Sequence, residues 1–323
     1  MNKVNRIGFP ISHKENERRR GLLPPDVARM KNPGYCYFER GFGEPLGISD
    51  REYEEAGGRI AERGDILRME VICNPKALDP DMTDFLREGQ ILFGWVHAVQ
   101  NRKITDILTE KGMTGIAWGE MFENGRHVFS RNNEIAGAGA IIHGACFSGR
   151  MPEEWKAALL GLGNCGRGAE HILKGFGAEV TIYHRDRIFD LRDELDRYNL
   201  IVNTMLWDEL DDRLVLAAGD LGLMDRGSMI IDVSCDSEGI CLETTHPTTV
   251  DDPVYIVEGV IHYAVDHVPT LFHRSASRSI SKELPIYLDA LVEGTENEVL
   301  EKATVIRDGK ILDERIIRFQ KRS

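Results

Sequence analysis

Two residues suited to handling a carbonyl stand 21 positions apart in the first third of the chain, Lys76 and His97. A histidine titrates near neutrality and exchanges a proton with a carbonyl oxygen, while an ammonium group beside it polarises that oxygen or holds a carboxylate. Each follows an apolar, β-rich run, Lys76 after Met69 to Cys73 and His97 after Ile91 to Val96. Parallel strands would bring both to the carboxyl edge of one sheet, where α/β folds bind ligands. Taken singly, such a histidine is more often structural and such a lysine solvated. Their pairing beside a dinucleotide motif makes them candidates. The cluster Arg18-Arg19-Arg20, ahead of Pro24, offers a fork-shaped partner for a carboxylate. Spacing does not choose among the three, and a solubilising surface cluster reads the same way.

The dinucleotide motif is the string A-L-L-G-L-G-N-C-G-R-G-A from Ala158 to Ala169. Gly161, Gly163 and Gly166 have G-x-G-x-x-G spacing after an apolar strand and at the start of a helical run. The first glycine permits the tight turn, the second lets a pyrophosphate approach the backbone, and the third lets the helix pack on the sheet. Asn164 and Cys165 fall at the helix start, whose amides would hold the anion. Glycines kept for packing alone are the weaker alternative in this context. The next strand, Val180 to Tyr183, runs into His184-Arg185-Asp186-Arg187. An NAD site usually offers a carboxylate there to the ribose 2′-hydroxyl. None stands at this strand end, and Arg185 with Arg187 can bind a 2′-phosphate, so NADP (as NADPH) is the favoured cofactor. Alternatively, both arginines pair with Asp186 and Asp190 on a solvated loop. Farther on, Asp232 to Asp236 ends a buried strand. Asp236 can face the ligand edge and tune the histidine or a substrate amine, or simply cap its loop. Ser234 on the same segment is assigned to the cofactor.

The elements that must position these groups alternate. Val4 to Phe9, Tyr35 to Phe38, Met69 to Cys73, Ile91 to Val96 and Thr114 to Trp118 read as strands; Pro24 to Met30, Asp50 to Ala61, Asp81 to Glu88 and Lys103 to Lys111 read as helices. A helix of small residues, Asn133 to Ser148, joins this series to a second one with strands at Ala157 to Leu162, Val180 to Tyr183, Leu200 to Met205, Met229 to Ser234 and Val254 to Val257. An amphipathic helix at Ala276 to Leu291 follows. The tail Ala303 to Ile316 is split by Asp308-Gly309, a hairpin signal. The expected fold is therefore α/β with two Rossmann-like domains, the dinucleotide-binding domain being inserted between the two parts of the substrate domain. The expected spans are 1–135 and 273–323 for the substrate domain and 136–272 for the NADP-binding domain.

The chain has 323 residues with 42% hydrophobic and 29% charged, a globular composition too apolar for disorder. A net charge of -13 argues against nucleic acid or an anionic membrane as partner. No apolar run is long enough to cross a bilayer and no secretory leader is visible, so a cytoplasmic location is expected. Six cysteines without a C-x-x-C pair fit reduced thiols, and no structural metal is expected.

Several strings resemble the alanine dehydrogenase and saccharopine dehydrogenase superfamily: Ile7 to Pro10, Lys14 to Arg19, Leu22-Leu23-Pro24, and the segment from Lys76 to His97 with Glu88 to Phe93 inside it. Within the superfamily, Gly94 to Asn101, Gly125 to Phe129, Arg131 to Gly137 and Ser275 to Ser281 are most similar to the opine-type carboxyethylornithine synthases. The resemblance implies NADPH-dependent reductive condensation of pyruvate, a 2-keto acid, with the side-chain amine of an amino acid, ornithine or lysine. By the same resemblance Arg19 is the arginine for the keto-acid carboxylate, Lys76 binds substrate and His97 is the acid/base. Asp236 corresponds to a second active-site carboxylate, and Asn133 with His267 lines the nicotinamide. His184 stands where NAD-preferring relatives carry an aspartate. A cleft that closes between domains and a homo-oligomer are also implied. In one departure, Lys76 follows Pro75, whereas alanine dehydrogenases place Glu-Pro after their lysine, so a different local backbone is expected. Other members of the superfamily use ammonia or the amine of glutamate. A reading of another class, a non-catalytic NADP-binding sensor, is disfavoured because a sensor has no need of Arg19, Lys76 and His97 together.

Overall fold

The computed structural model describes residues 3–76, 78–208, 211–235 and 239–322. The chain forms two compact units, Met1–Ser130 together with His273–Ser323, and Arg131–Phe272. It leaves the first unit once, builds the second and returns.

In the first unit, strands β1 (Ile7–Phe9), β2 (Cys36–Glu39), β3 (Arg59–Ala61), β4 (Val71–Lys76), β5 (Ile91–Trp95) and β6 (Thr114–Ala117) are parallel and ordered β3-β2-β1-β4-β5-β6. This is the doubly wound order, with its reversal between β1 and β4; ligands bind beyond the carboxyl ends at such a reversal. The strands read as continuous apolar runs because both faces are covered. On one face Val71, Cys73, Ile91 and Phe93 pack with Phe9, Trp118 and Leu288, while on the other Ile72 and Leu92 pack with Leu108, Val305 and Ile316. A short hairpin, β7 (Phe122–Glu123) with β8 (Arg126–His127), precedes the helix Ser130–Ala145.

The second unit contains β9 (Lys156–Leu160), β10 (Glu179–Tyr183), β11 (Leu200–Asn203), β12 (Met229–Asp232), β13 (Val254–Val257) and β14 (Val260–Tyr263), ordered β10-β9-β11-β12-β14-β13. All pair in parallel except β13, which lies antiparallel to β14. The sequence reading takes Val254 to Val257 as one more parallel strand. It is instead the outer arm of a hairpin, closed by Glu258 and Gly259, both at positive φ (49° and 87°) as a two-residue turn of this hand requires. Back in the first unit, β15 (Thr304–Arg307) and β16 (Lys310–Ile311) form the hairpin expected at Asp308-Gly309, whose φ values are 48° and 76°. There β15 adds antiparallel to β6 and extends the first sheet to eight strands.

Three helical expectations are corrected. The run Asp50 to Ala61 is a helix only over Asp50–Glu55; Gly57, at φ 98°, ends it and the rest is β3. Gly58 is required where the chain turns, since a Cβ there would lie 2.7 Å from the Phe38 ring. The run Ala276 to Leu291 is two helices, His273–Glu283 and Pro285–Glu293, because Pro285 lacks the amide that a continuous helix needs and suits a first turn. Asp81 to Glu88 is a 3-10 stretch over Pro80–Phe85. No helix among the described residues is long and apolar enough to cross a membrane.

Two buried histidines give the fold an acid limit. The His127 Nε2–H donates to the Trp118 carbonyl at 3.0 Å, and His262 donates through Nδ1 to the Val260 carbonyl at 3.0 Å while accepting from the Thr244 hydroxyl at 2.8 Å. Burial lowers both pKa values below the ordinary histidine value. The native state then binds fewer protons than the unfolded chain near pH 6, so stability is complete above about pH 6.5 and falls as pH drops below it. The unfolding free energy from urea titration is expected to decline between pH 7 and 5.5, by at most about 1.4 kcal/mol per pH unit for each histidine. His262→Gln should flatten that decline for the second unit.

Candidate functional site

The carboxyl edge of the first sheet carries Lys76 and His97, and Arg19 lies over a side chain of the same edge, Trp95. In the β4–β5 pairing Lys76 lies opposite Trp95, after a register shift between Asn74 and Lys76. Pro75 accounts for that shift, since it has no amide to give the ladder and is bulged out. The expected departure in backbone at this lysine is thus a bulge. Gly94 is obligatory beside it: a Cβ there would sit 2.0 Å from the Asn74 carbonyl oxygen. His97, two residues beyond Trp95, has φ 47°. That region is costly for a branched or bulky residue, and non-glycine residues held there concentrate at functional sites. The His97 carbonyl accepts from the Asn101 amide at 2.9 Å and closes the loop into the helix Arg102–Glu110.

Of the three arginines, Arg19 is the one whose guanidinium lies over the Trp95 ring, 5.2 Å from its centroid. Arg19 is buried, and its Nε and Nη2 donate to the buried Glu17 carboxylate at 2.9 and 2.6 Å. Arg18 is exposed. Arg20 is committed to the backbone, with Nε on the Phe42 carbonyl and Nη1 on the Arg19 carbonyl at 2.9 Å. A carboxylate network ties the loops together. The buried Asp79, just past Lys76, accepts from Ser12 Oγ at 3.0 Å and the His13 amide at 2.7 Å, while Glu39 accepts from the Ile11 amide at 2.7 Å and from Arg63 at 3.0 Å. The loop leading to Arg19 and the loop after Lys76 therefore share anchors. Asn74 is 1% exposed and its Nδ2 has no hydrogen-bond partner among the described residues. A buried orphan donor is rare and suits a site that awaits an acceptor. Trp95, Glu17, Asp79 and Asn74 were not singled out from sequence; apart from the E-x-R spacing of Glu17 and Arg19, no local pattern marks them.

In the second unit the glycine-rich turn follows β9 at the point where strand order reverses between β9 and β11. Gly161 is at φ 83°, and a Cβ there would reach 2.7 Å from Met205. Gly163 caps the helix Asn164–Gly175 with no side-chain bond to its amides, and a Cβ on Gly163 would meet no atom within 4 Å. The backbone at this helix start is thus open to an approaching anion, as a pyrophosphate needs. Gly166 is closed against the Gly161 carbonyl, and Gly168 against the Glu134 carbonyl, with hypothetical Cβ distances of 2.4 and 1.9 Å. Asn164 accepts from Arg167, and the Cys165 carbonyl would be 1.9 Å from a Cβ on Gly137, so the helix carrying Asn133 crosses the turn helix at backbone contact.

At the end of β10, His184 and Arg185 are exposed. Arg185 donates to the Leu206 carbonyl at 2.6 Å and Arg187 pairs with Asp190 at 3.0 Å, so half of the alternative ion-paired loop is present. The Ser234 amide donates at 3.1 Å to Asp232, a buried carboxylate that also accepts from Asn203 and Thr245 at 2.9 Å. His267 is buried with Nδ1 on the Asp266 carboxylate. Asp236 lies outside the described residues.

Two family models match the chain. The model of the alanine dehydrogenase/PNT N-terminal domain matches residues 8–136, and that of the C-terminal domain matches residues 173–316. The N(5)-(carboxyethyl)ornithine synthase of Clostridium botulinum is 32% identical over 319 residues, 90% of this chain and 99% of the relative. The protein of the same name from Lactococcus lactis subsp. lactis strain IL1403 is 30% identical, over 86% of this chain and 94% of its own. Among solved structures an L-alanine dehydrogenase superposes with a TM-score of 0.82 at 23% identity, covering 98% of this chain and 99% of that one, a likeness of fold.

Proposed function

The chain belongs to the alanine dehydrogenase/PNT family of nicotinamide-dependent oxidoreductases, and from that premise we propose that it joins pyruvate to the side-chain amine of ornithine, or of lysine, and reduces the product with NADPH to N5-(1-carboxyethyl)ornithine or its lysine counterpart. The observation that carries this proposal is that Arg19 lies over Trp95, in the strand pair where Lys76 stands opposite Trp95 and His97 follows two residues on. Relatives at 30% identity or more that are named for that synthase support the choice of amine.

In the proposed reaction Arg19 and Lys76 hold the pyruvate carboxylate, and the Lys76 ammonium polarises the keto oxygen. Asn74 Nδ2 supplies a further donor on the same edge. The neutral amine attacks the keto carbon. His97 then removes a proton from nitrogen and delivers one to the departing hydroxyl, so that water leaves and a C=N bond forms. Bound NADPH supplies the hydride that completes the secondary amine. Asp236 is proposed to face the amine; Asn133, Ser234 and His267 are proposed for the nicotinamide end, and the amides of Gly163 to Gly166 for the pyrophosphate. The missing carboxylate after β10 supports a 2′-phosphate on His184 and Arg185. Arg187 can join them, since an exposed ion pair such as that with Asp190 holds by only about 0–1 kcal/mol. A homo-oligomer is part of the same proposal.

The test is NADPH absorbance with pyruvate and, in turn, ornithine, lysine, ammonia and glutamate. Turnover with ornithine or lysine, faster with NADPH than with NADH, is expected. Turnover with ammonia alone would overturn the opine assignment in favour of an alanine dehydrogenase. Turnover with glutamate alone would point to a saccharopine dehydrogenase-like enzyme, and none with any amine to a sensor.

A further inference from the structure

A cavity of about 630 Å³ opens on the first unit between the start of the helix Arg102–Glu110, the turn at Gly309 and the end of the helix Glu314–Phe319. Its wall carries four cations, Arg102, Lys310, Lys321 and Arg322, in a chain whose net charge is -13. Arg322 pairs with the Asp106 carboxylate. Lys310 and Lys321 enter no ion pair among the described residues. The arginines are held in place: Arg102 Nη1 donates to the Gln320 carbonyl at 3.1 Å, and Arg322 Nε donates to Gln320 Oε1 at 2.6 Å. Lys321 is at φ 50°, and its backbone N–H donates to the Arg318 carbonyl at 3.2 Å. Cations clustered on a concave wall focus positive potential well beyond what single surface lysines produce. Ile311 and Ile317 give the same cavity an apolar side.

We propose that this cavity binds a small phosphorylated metabolite, its phosphoryl groups on Arg102, Lys310 and Lys321 and its apolar body on Ile311 and Ile317. The position has a structural consequence. Gln320, which orients Arg322, is buried and donates through Nε2 to the carbonyls of Ala98 and Val99 at 2.7 and 3.0 Å. These are the residues that follow His97, so a ligand drawing on Arg102, itself bonded to the Gln320 carbonyl, engages the clamp on that loop. Binding itself does not depend on any role for His97.

The experiment is calorimetric titration of the full chain, saturated with NADPH so that the glycine-rich turn is filled, with ADP, pyrophosphate and inorganic phosphate at constant ionic strength. NADPH fluorescence reports cofactor binding separately, so a failure of the cofactor assignment and a failure of this site are distinguishable. ADP is expected to bind more tightly than pyrophosphate, and the double variant Lys310→Gln/Lys321→Gln to bind both at least about tenfold more weakly with an unchanged melting temperature. Hydrogen exchange is expected to slow at residues 98–104 and 317–322. Equal affinity for ADP and pyrophosphate supports the phosphoryl site and assigns it to the free anion. Equal binding by parent and variant, equal heats from sulfate, or protection confined to residues 161–166 would overturn the proposal.

Discussion

Replacing His97 by asparagine is expected to lower kcat for the NADPH-linked condensation by about 10²–10⁴-fold, the usual contribution of a positioned proton-transfer group, without unfolding the chain. The choice of asparagine follows from the backbone. At φ 47° an alanine would add conformational cost, whereas asparagine visits this region readily and removes only the titrating ring. The melting temperature and NADPH affinity should therefore stay close to those of the parent. Carbinolamine dehydration needs a proton delivered to oxygen, which an amide cannot supply near neutral pH. Loss of the neutral-pH limb from the kcat profile would identify the ring as the titrating group. If His97→Asn kept more than about a tenth of the activity, the acid/base assignment would fail.

The second expectation separates two glycines of the same turn. Gly163→Val is expected to weaken NADPH binding by at least about tenfold, or 1.4 kcal/mol, with little change in melting temperature. The position is extended and its Cβ direction is empty of protein, so the new side chain costs the fold little but stands where the pyrophosphate must approach. Gly168→Ala is expected to do the reverse first, destabilising the second unit by about 1–3 kcal/mol or more, because its Cβ would be 1.9 Å from the Glu134 carbonyl oxygen and two helix backbones would have to separate. Thermal denaturation and NADPH fluorescence titration on both variants check the contrast. If Gly163→Val bound NADPH normally, the turn would not be the pyrophosphate site.

Much of the fold was legible because it depends on short-range patterns. Apolar runs of strand length flagged ten of the sixteen strands among the described residues, and Asp308-Gly309 announced its hairpin in advance because both positions must take positive φ. Glu258-Gly259 makes a similar turn but carries a residue seldom chosen for it, so β14 and the reversal of β13 went unseen. The helix break at Pro285 and the change from helix to strand after Gly57 were also written in the chain, but the surrounding apolar spacing masked them.

By itself the sequence determined the two α/β halves, the glycine-rich turn and the pair Lys76 and His97 at strand ends, because strand period, helix start and glycine spacing act over a few residues. Only the tertiary structure decided which of three adjacent arginines reaches that edge. Arg18 is exposed and Arg20 is drawn onto Phe42, a residue 22 positions away, so Arg19 is left to lie over Trp95. Contacts between residues so far apart in sequence follow from how strands are ordered and helices packed, and no local pattern of residue types encodes them.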